Sequence, residues 1–385
     1  MKTDSILISA GRNPFAHKGV VNVPPYRCST LLFKNTAELE QEMTKGADAR
    51  IYGRHGNPTV RAFEEAIAEI EGACKSFAFS SGLSAISHSL MAFLEPGDEL
   101  LMVDSVYVPT RLFCDKFLTK MGIKTIYYDP LIGRDISSLM TNKTKVVFVE
   151  SPCSQTFEMQ DIPAIANEAH KKGAWVIMDN TWASPLYFNS LKHGVDVTIQ
   201  AGTKYIIGHS DAMLGVASAT EKAAAKMQET VFAFGETIGS EEAWLGLRGL
   251  RTLKIRLQQH QENALKVATW LEACPEVSKV LYPALASNEG HKIWQRDFTG
   301  ASGLFSFVLK TDDKEKTADF INSLTHFGIG FSWGGYESLA LAVGKPPRTA
   351  TTWRYDGAVV RIHVGLDDPD DLIDDIKKGF EKLKD

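Results

Sequence analysis

The stretch TKVVFVESPCSQTFEMQDIPAIANEAHKKGAWVIMDN, residues 144–180, decides the fold. Its first seven residues form a nearly continuous apolar run, the pattern of a strand buried on both faces. In DIPAIANEAHKKG (161–173), Ile162, Ile165, Ala166 and Ala169 recur at the spacing of one helical face. AWVIMDN (174–180) is a second apolar strand, and it stops at Asp179. A strand, a helix and a strand in that order predict parallel pairing with the helix laid across the sheet.

The same alternation continues on both sides. Upstream, NPTVRAFEEAIAEIEG (57–72) offers Asn57 as a helix cap, Pro58 at the first helical position and Gly72 past the end. KSFAFS (75–80), ELLMVD (99–104) and DVTIQAG (196–202) read as strands. GLSAISHSLMAFL (82–94) and VPTRLFCDKFLTKMG (108–122) read as helices. Residues 241–273 read as one long helix. GLFSFVL, DKEKTADFINSLTHFG, AVVRIHVG and PDDLIDDIKKGFEKL then predict a smaller unit of mixed helix and strand. The expected organisation is an arm over 1–57, a large α/β domain with a mostly parallel sheet over 58–247, and a smaller α+β domain over 248–385.

Composition narrows the function. The chain has 385 residues, 44% hydrophobic and 23% charged, with a net charge of −5. That balance argues against nucleic acid or an anionic membrane as the main partner. Five cysteines with no CxxC pair predict reduced thiols, and the N-terminal apolar run is too short for a signal peptide; a cytoplasmic protein is expected. The histidines show no metal-ligand spacing, so no metal site is expected. No GxSxG elbow and no GxxxxGK[ST] loop is present, which argues against a serine triad and a nucleotide phosphate site.

In open parallel sheets, ligands sit at the carboxyl ends of the strands. Asp179 ends one strand there, and Lys204 follows another. Each has a bland alternative: a loop-capping aspartate, and a lysine reaching out from a sheet edge. Together they form the pair that aldehyde-cofactor chemistry needs. A buried amine of lowered pKa condenses with an aldehyde, and a carboxylate holds a proton on a pyridine nitrogen. SSGLSA (80–85) places free amides at a helix start, a generic anion site. Tyr52 and Arg54, in YGRHGNPT (52–59), are spaced to share one face of an extended segment. Arg361 is a cation inside the apolar strand of VVRIHVG, and a carboxylate is a suitable partner for it. His209 and His363 read as core or supporting residues.

DVTIQAGTKYIIGHS (196–210) resembles, over all fifteen positions, the cofactor-lysine signature of the Cys/Met-metabolism family of pyridoxal-phosphate enzymes. The resemblance extends through YGRHGNPT, SSGLSA, DNTWASP, LRGLRTL, SWGGYESL and VVRIHVGLDD. It implies the fold-type I transferase-like architecture and pyridoxal 5'-phosphate as cofactor. By the same resemblance Lys204 carries the cofactor and is the catalytic base, Asp179 faces the pyridine nitrogen, and Tyr107 stacks on the ring and is the second catalytic residue. Gly82 and Leu83 give amides and Thr203 a hydroxyl to the phosphate. Tyr52 and Arg54 reach the phosphate of a neighbouring subunit, which implies a homo-oligomer with shared sites, by family analogy a tetramer. Arg361, Ser332, Trp333 and Tyr107 face the substrate.

Four departures bear on the reaction. Ala201 stands where many relatives have serine, Trp333 stands in SWGG against SLGG, YVPT replaces YGGT, and Ser154 replaces an asparagine. These fit the branch that eliminates at the β carbon, converting L-cystathionine to homocysteine, pyruvate and ammonia in methionine synthesis. The alternatives are a γ-acting relative, a lysine Schiff-base aldolase working without cofactor, and a binding protein without catalysis.

Overall fold

The computed structural model of the chain describes residues 2–384. Seven strands form the larger sheet: β1 (Lys75–Phe79), β2 (Glu99–Val103), β3 (Lys124–Tyr128), β4 (Thr144–Glu150), β5 (Trp175–Asp179), β6 (Val197–Gln200) and β7 (Gly215–Ala219). Their order is β1-β7-β6-β5-β4-β2-β3. Only β7 runs against its neighbours; the pairs β2–β3, β2–β4, β4–β5 and β5–β6 are all parallel. The near-continuous apolar runs follow from burial on both faces. Leu100 to Val103, Val146 to Val149 and Val176 to Met178 are all fully buried. Burying each such side chain is worth about 1.5–3 kcal/mol, so this block anchors the strand ends that carry the polar residues.

The expected caps are present. The helix Pro58–Glu71 starts at Asn57, whose side chain accepts from the Thr59 and Val60 amides. It ends at Gly72 with φ 69°. The helices Gly82–Met91, Val108–Lys116 and Ile162–Lys171 fall where the periodicity puts them. β3 and β7 went unread in the sequence. β3 is only partly buried, and β7 (GVASA) is composed of small residues without alternation.

A second sheet holds β8 (Val277–Leu281), β9 (Leu304–Leu309), β10 (Leu339–Val343) and β11 (Val359–His363), antiparallel throughout in the order β10-β11-β9-β8. Trp182, just past β5, donates its indole N–H to the Leu304 carbonyl at 2.9 Å and so ties the larger sheet to β9.

Two local expectations are corrected. Residues 241–273 are not one helix but two, Ser240–Leu250 and Leu253–Glu272. The break has a cause in Arg256, whose Nη2 takes the Gly249 carbonyl at 2.9 Å, while Gly249 itself lies against the Ile206 carbonyl. The segment around Tyr52 and Arg54 is not extended throughout: Tyr52 is, but Gly53–His55 is a 3₁₀ turn. Gly53 sits so close to the Cys28 carbonyl that a Cβ there would be at 2.3 Å, so only glycine fits at the start of this turn.

The first 57 residues contain the short helices Thr3–Ser9 and Thr36–Met43 and expose most of their side chains, including Phe15 and Leu32. Leu7, Ala10 and Val23 are among the exceptions. They pack with Phe63, Ile67 and Leu247, and Arg251 donates to the Leu7 and Ala10 carbonyls at 2.6 and 2.9 Å.

Candidate active site

Parallel pairing in register sets Glu150 opposite Asp179, each the last residue of its strand. β6 ends beside them at Gln200, and the chain then folds through a compact turn, Ala201 to Ile207, that carries Lys204. Thr181 locks these ends together. The Ala201 N–H donates to Thr181 Oγ1 at 2.9 Å, and that hydroxyl donates to Asp179 Oδ1 at 2.5 Å. The same carboxylate oxygen accepts the Thr181 N–H at 3.0 Å. The expectation that Asp179 and Lys204 meet at one rim is thus realised through a connection that sequence reasoning missed. A threonine two residues after a strand-end aspartate was the available signal.

The Lys204 turn is held from two further sides. Thr203 Oγ1 accepts the Leu214 N–H at 2.9 Å and donates to the Leu214 carbonyl at 3.1 Å. Arg256, buried, donates Nη1 to the Tyr205 carbonyl at 2.8 Å. The start of the helix Gly82–Met91 abuts the same turn, because a Cβ on Gly82 would stand 2.6 Å from the Ala201 Cβ. Ser81 caps this helix through the Ser84 N–H at 3.1 Å, leaving the Gly82 and Leu83 amides, among the described residues, as its unpaired leading donors.

Across the rim, the second sheet and the loop leading into β10 supply a polar wall. Lys204 Nζ donates to Ser332 Oγ at 2.6 Å and lies 5.3 Å from the Trp333 ring centroid. Arg361, from the middle of β11, donates Nη2 to the Ser332 carbonyl at 3.3 Å. Tyr107 begins the helix Val108–Lys116. Its N–H donates to Glu150 Oε2 at 2.9 Å and its side chain is 45% exposed, which leaves the ring a free face.

The electrostatics follow from this crowding. Burial pulls the Lys204 amine down to about 8, Arg361 adds to the effect, and Asp179 opposes it. Burial raises the Asp179 carboxyl, while its Thr181 bonds and Lys204 hold it lower. Glu150 is raised well above the usual carboxylate range by burial and by the Asp179 charge beside it. Burial, then the Asp179 and Glu150 charges, raise the Tyr107 hydroxyl. Of the two neighbouring carboxyls, Glu150 is raised the further, and Asp179 is the one with the Thr181 hydrogen bonds and Lys204 to favour its charged form.

Lys204, Asp179, Tyr107, Gly82, Leu83, Thr203, Ser332, Trp333 and Arg361 therefore belong to one neighbourhood. Tyr52 and Arg54 have other surroundings within the chain. Arg54 donates to the Phe232 carbonyl at 3.3 Å and lies 5.0 Å from the Phe232 ring, and Tyr52 is 46% exposed. Among the described residues no group of three or more His, Cys, Asp or Glu is placed to hold a metal ion. The neighbourhood suits a planar aldehyde bearing a phosphate. It has a buried amine of lowered pKa, a carboxylate on the same rim, free helix-start amides against a residue as small as Ala201, and an aromatic ring with an open face.

Comparison with known proteins extends this picture. Residues 4–381 match the family model described as Cys/Met metabolism PLP-dependent enzyme. A putative cystathionine beta-lyase of Rhizobium johnstonii is 46% identical over 97% of this chain and 94% of its own. Cystathionine beta-lyase MetC of Escherichia coli is 41% identical over 99% of each chain. The crystal structure of metB from Corynebacterium glutamicum superposes with a TM-score of 0.92 at 29% identity, covering 100% of this chain and 99% of that one.

Proposed function

Because the chain belongs to the Cys/Met metabolism family of pyridoxal-phosphate-dependent enzymes, we propose that it is a carbon–sulfur lyase cutting L-cystathionine by β-elimination to homocysteine, pyruvate and ammonia. The observation that carries this proposal is the polar wall at Lys204: the Ser332 hydroxyl 2.6 Å from its amine, the Trp333 ring beside it and Arg361 behind.

Pyridoxal phosphate, when bound, supplies an electron-withdrawing ring that stabilises negative charge at the substrate Cα. Lys204 would hold it, with Asp179 and Tyr107 against the ring and Gly82, Leu83 and Thr203 toward the phosphate. Thr203 already uses its hydroxyl on Leu214, so its part is to fix the turn as well as to face an anion. Tyr52 and Arg54 would complete the phosphate site of a neighbouring subunit in a homo-oligomer, by family analogy a tetramer.

In the reaction Arg361 binds the substrate carboxylate and so orients the Cα–H bond. Lys204 Nζ, neutral above its lowered pKa, takes the Cα proton. The electron pair moves between Cα and Cβ, and the Cβ–S pair leaves with sulfur. Lys204 Nζ returns its proton to that sulfur, giving homocysteine. The remaining enamine takes up water and yields pyruvate and ammonia. Ser332, hydrogen-bonded to the amine, steers the proton between carbon and sulfur. Trp333 narrows the space beside it.

No helix among the described residues is long and apolar enough to cross a membrane; a cytoplasmic location belongs to the same proposal. The test is product identity. Purified enzyme given L-cystathionine should release pyruvate and homocysteine, read by mass spectrometry. Release of 2-oxobutyrate and cysteine would move the protein to the γ-acting branch of its family.

A further inference from the structure

His363 lies two residues beyond Arg361 on β11, so both side chains leave the same face of the strand. Both reach the loop that carries Ser332 and Trp333, at different points. Arg361 Nη2 donates to the Ser332 carbonyl at 3.3 Å, and the Gly334 N–H donates to His363 Nε2 at 3.1 Å. Between these points the backbone is unusual: φ is 93° at Ser332 and 86° at Gly334. A serine at such a φ persists only where its surroundings impose it. The reason for the bend is contact with the lysine, since a Cβ on Gly334 would lie 2.9–3.0 Å from the Lys204 carbonyl carbon, Cα and Cβ.

The hydrogen-bond inventory assigns the histidine's proton. Among the described residues the Gly334 N–H has no other acceptor. A proton on Nε2, aimed at the Gly335 carbonyl at 3.1 Å, would leave both that amide and Nδ1 without partners. A proton on Nδ1 satisfies that amide but takes the donor from the Gly335 carbonyl and leaves Nδ1–H unpaired, next to the ring of His260, 5.1 Å away between centroids; a buried carbonyl bears the loss of a partner more readily than a buried backbone N–H does. His260 donates its own Nδ1–H to the Val364 carbonyl at 3.0 Å, which makes its Nε2 a bare acceptor. Both rings are fully buried, and burial drives both well below the usual histidine range, His260 to about 4. His363 is therefore a neutral acceptor at working pH.

We propose that His363 is a positioning residue: by accepting the Gly334 amide it holds the Ser332–Gly335 loop on Lys204 and keeps the Ser332 hydroxyl at the lysine amine. The proposal rests on the roles given to Lys204 and Ser332 above. It adds a residue that never touches substrate to the set on which the rate depends.

Three substitutions separate the acceptor from mere bulk. In His363→Gln, Oε1 stands as many bonds from Cβ as Nε2 does and accepts the same amide. In His363→Asn the oxygen falls at the Nδ1 position, too short. His363→Phe keeps the ring and loses the acceptor. In cofactor-loaded enzyme, hydrogen exchange at the Gly334 amide should speed by about tenfold in the Phe and Asn variants and stay near native in Gln. Turnover per bound cofactor should fall roughly 10- to 100-fold in Phe and Asn with KM changed by less than about threefold, and Gln should restore it. Phe and Gln variants that match each other in exchange and in turnover would overturn the proposal. If the Phe variant fails to fold, the Asn–Gln comparison decides by the same criterion. The exchange result does not depend on which carbon–sulfur bond is cut, so wild-type release of 2-oxobutyrate would defeat the proposed reaction and leave this test standing.

Discussion

A lysine amine in water stays protonated to well above neutral pH, and a protonated amine attacks no aldehyde. Lys204 escapes this because burial and the Arg361 charge lower it to about 8, against the pull of Asp179. The sign is definite: below that value the ammonium dominates, above it the free amine. Stripped enzyme mixed with pyridoxal phosphate should therefore regain its visible absorbance at a rate rising about tenfold per pH unit up to 8 and level above it. A rate still climbing at pH 10 would mean an unshifted lysine. Arg361 acts at the same scale. Replacing it with alanine should raise KM about 10- to 100-fold, the worth of hydrogen bonds to a charged group, with the cofactor absorbance retained. Of these residues, Lys204, Asp179 and Arg361 stood out in the sequence as charges in apolar surroundings. Glu150 did not, because only strand register brings it to Asp179, and Thr181, two residues after that aspartate, carries no charge to mark it.

At the scale of elements, legibility followed burial. β2, β4 and β5 are apolar at almost every position, and their pattern alone placed them. β7 is equally buried, yet its small residues leave no pattern, and it is the one strand reversed in the larger sheet. The break between the helices Ser240–Leu250 and Leu253–Glu272 comes from a tertiary bond, Arg256 to the Gly249 carbonyl, that no local propensity announces. Helix and sheet also meet at a buried acid. Glu71, the last residue of the helix Pro58–Glu71, accepts from Gln200 Nε2 of β6 at 3.1 Å, and burial raises its carboxyl to about 8. The folded state then holds a proton that the unfolded chain has lost, so this group's contribution is complete below the ordinary carboxylate range and is lost as pH rises toward 8. Between those limits it should cost stability by roughly 1 kcal/mol per pH unit. Glu71→Gln should remove that slope, measured as the difference between variant and wild-type unfolding curves at pH 5 to 8. Parallel curves would show the acid to be ionised in the fold.

For the whole molecule, the site exists because two sheets meet: Asp179 and the turn of Lys204 end strands of one, while Arg361 stands in the other and the loop of Ser332 and Trp333 leads into it. Alternating strands and helices made the first sheet legible. The meeting itself depends on long-range contacts such as Trp182 to Leu304, which a linear pattern does not carry. Within its own chain Arg54 meets Phe232, and Tyr52 is exposed, in keeping with the proposed service to a neighbour. On that proposal, Lys204→Ala and Arg54→Ala subunits refolded together should recover activity that neither has alone. In a dimer, half the molecules are mixed and each has one intact site, giving roughly a quarter of the native rate. No recovery would contradict shared sites. The central claim, that Lys204 at the sheet rim is the cofactor lysine, has a more direct test. Borohydride reduction of the loaded enzyme fixes the cofactor to its lysine, and peptide mass spectrometry then locates it. The expected result is one phosphopyridoxyl group, on Lys204; the group on any other lysine would contradict the account.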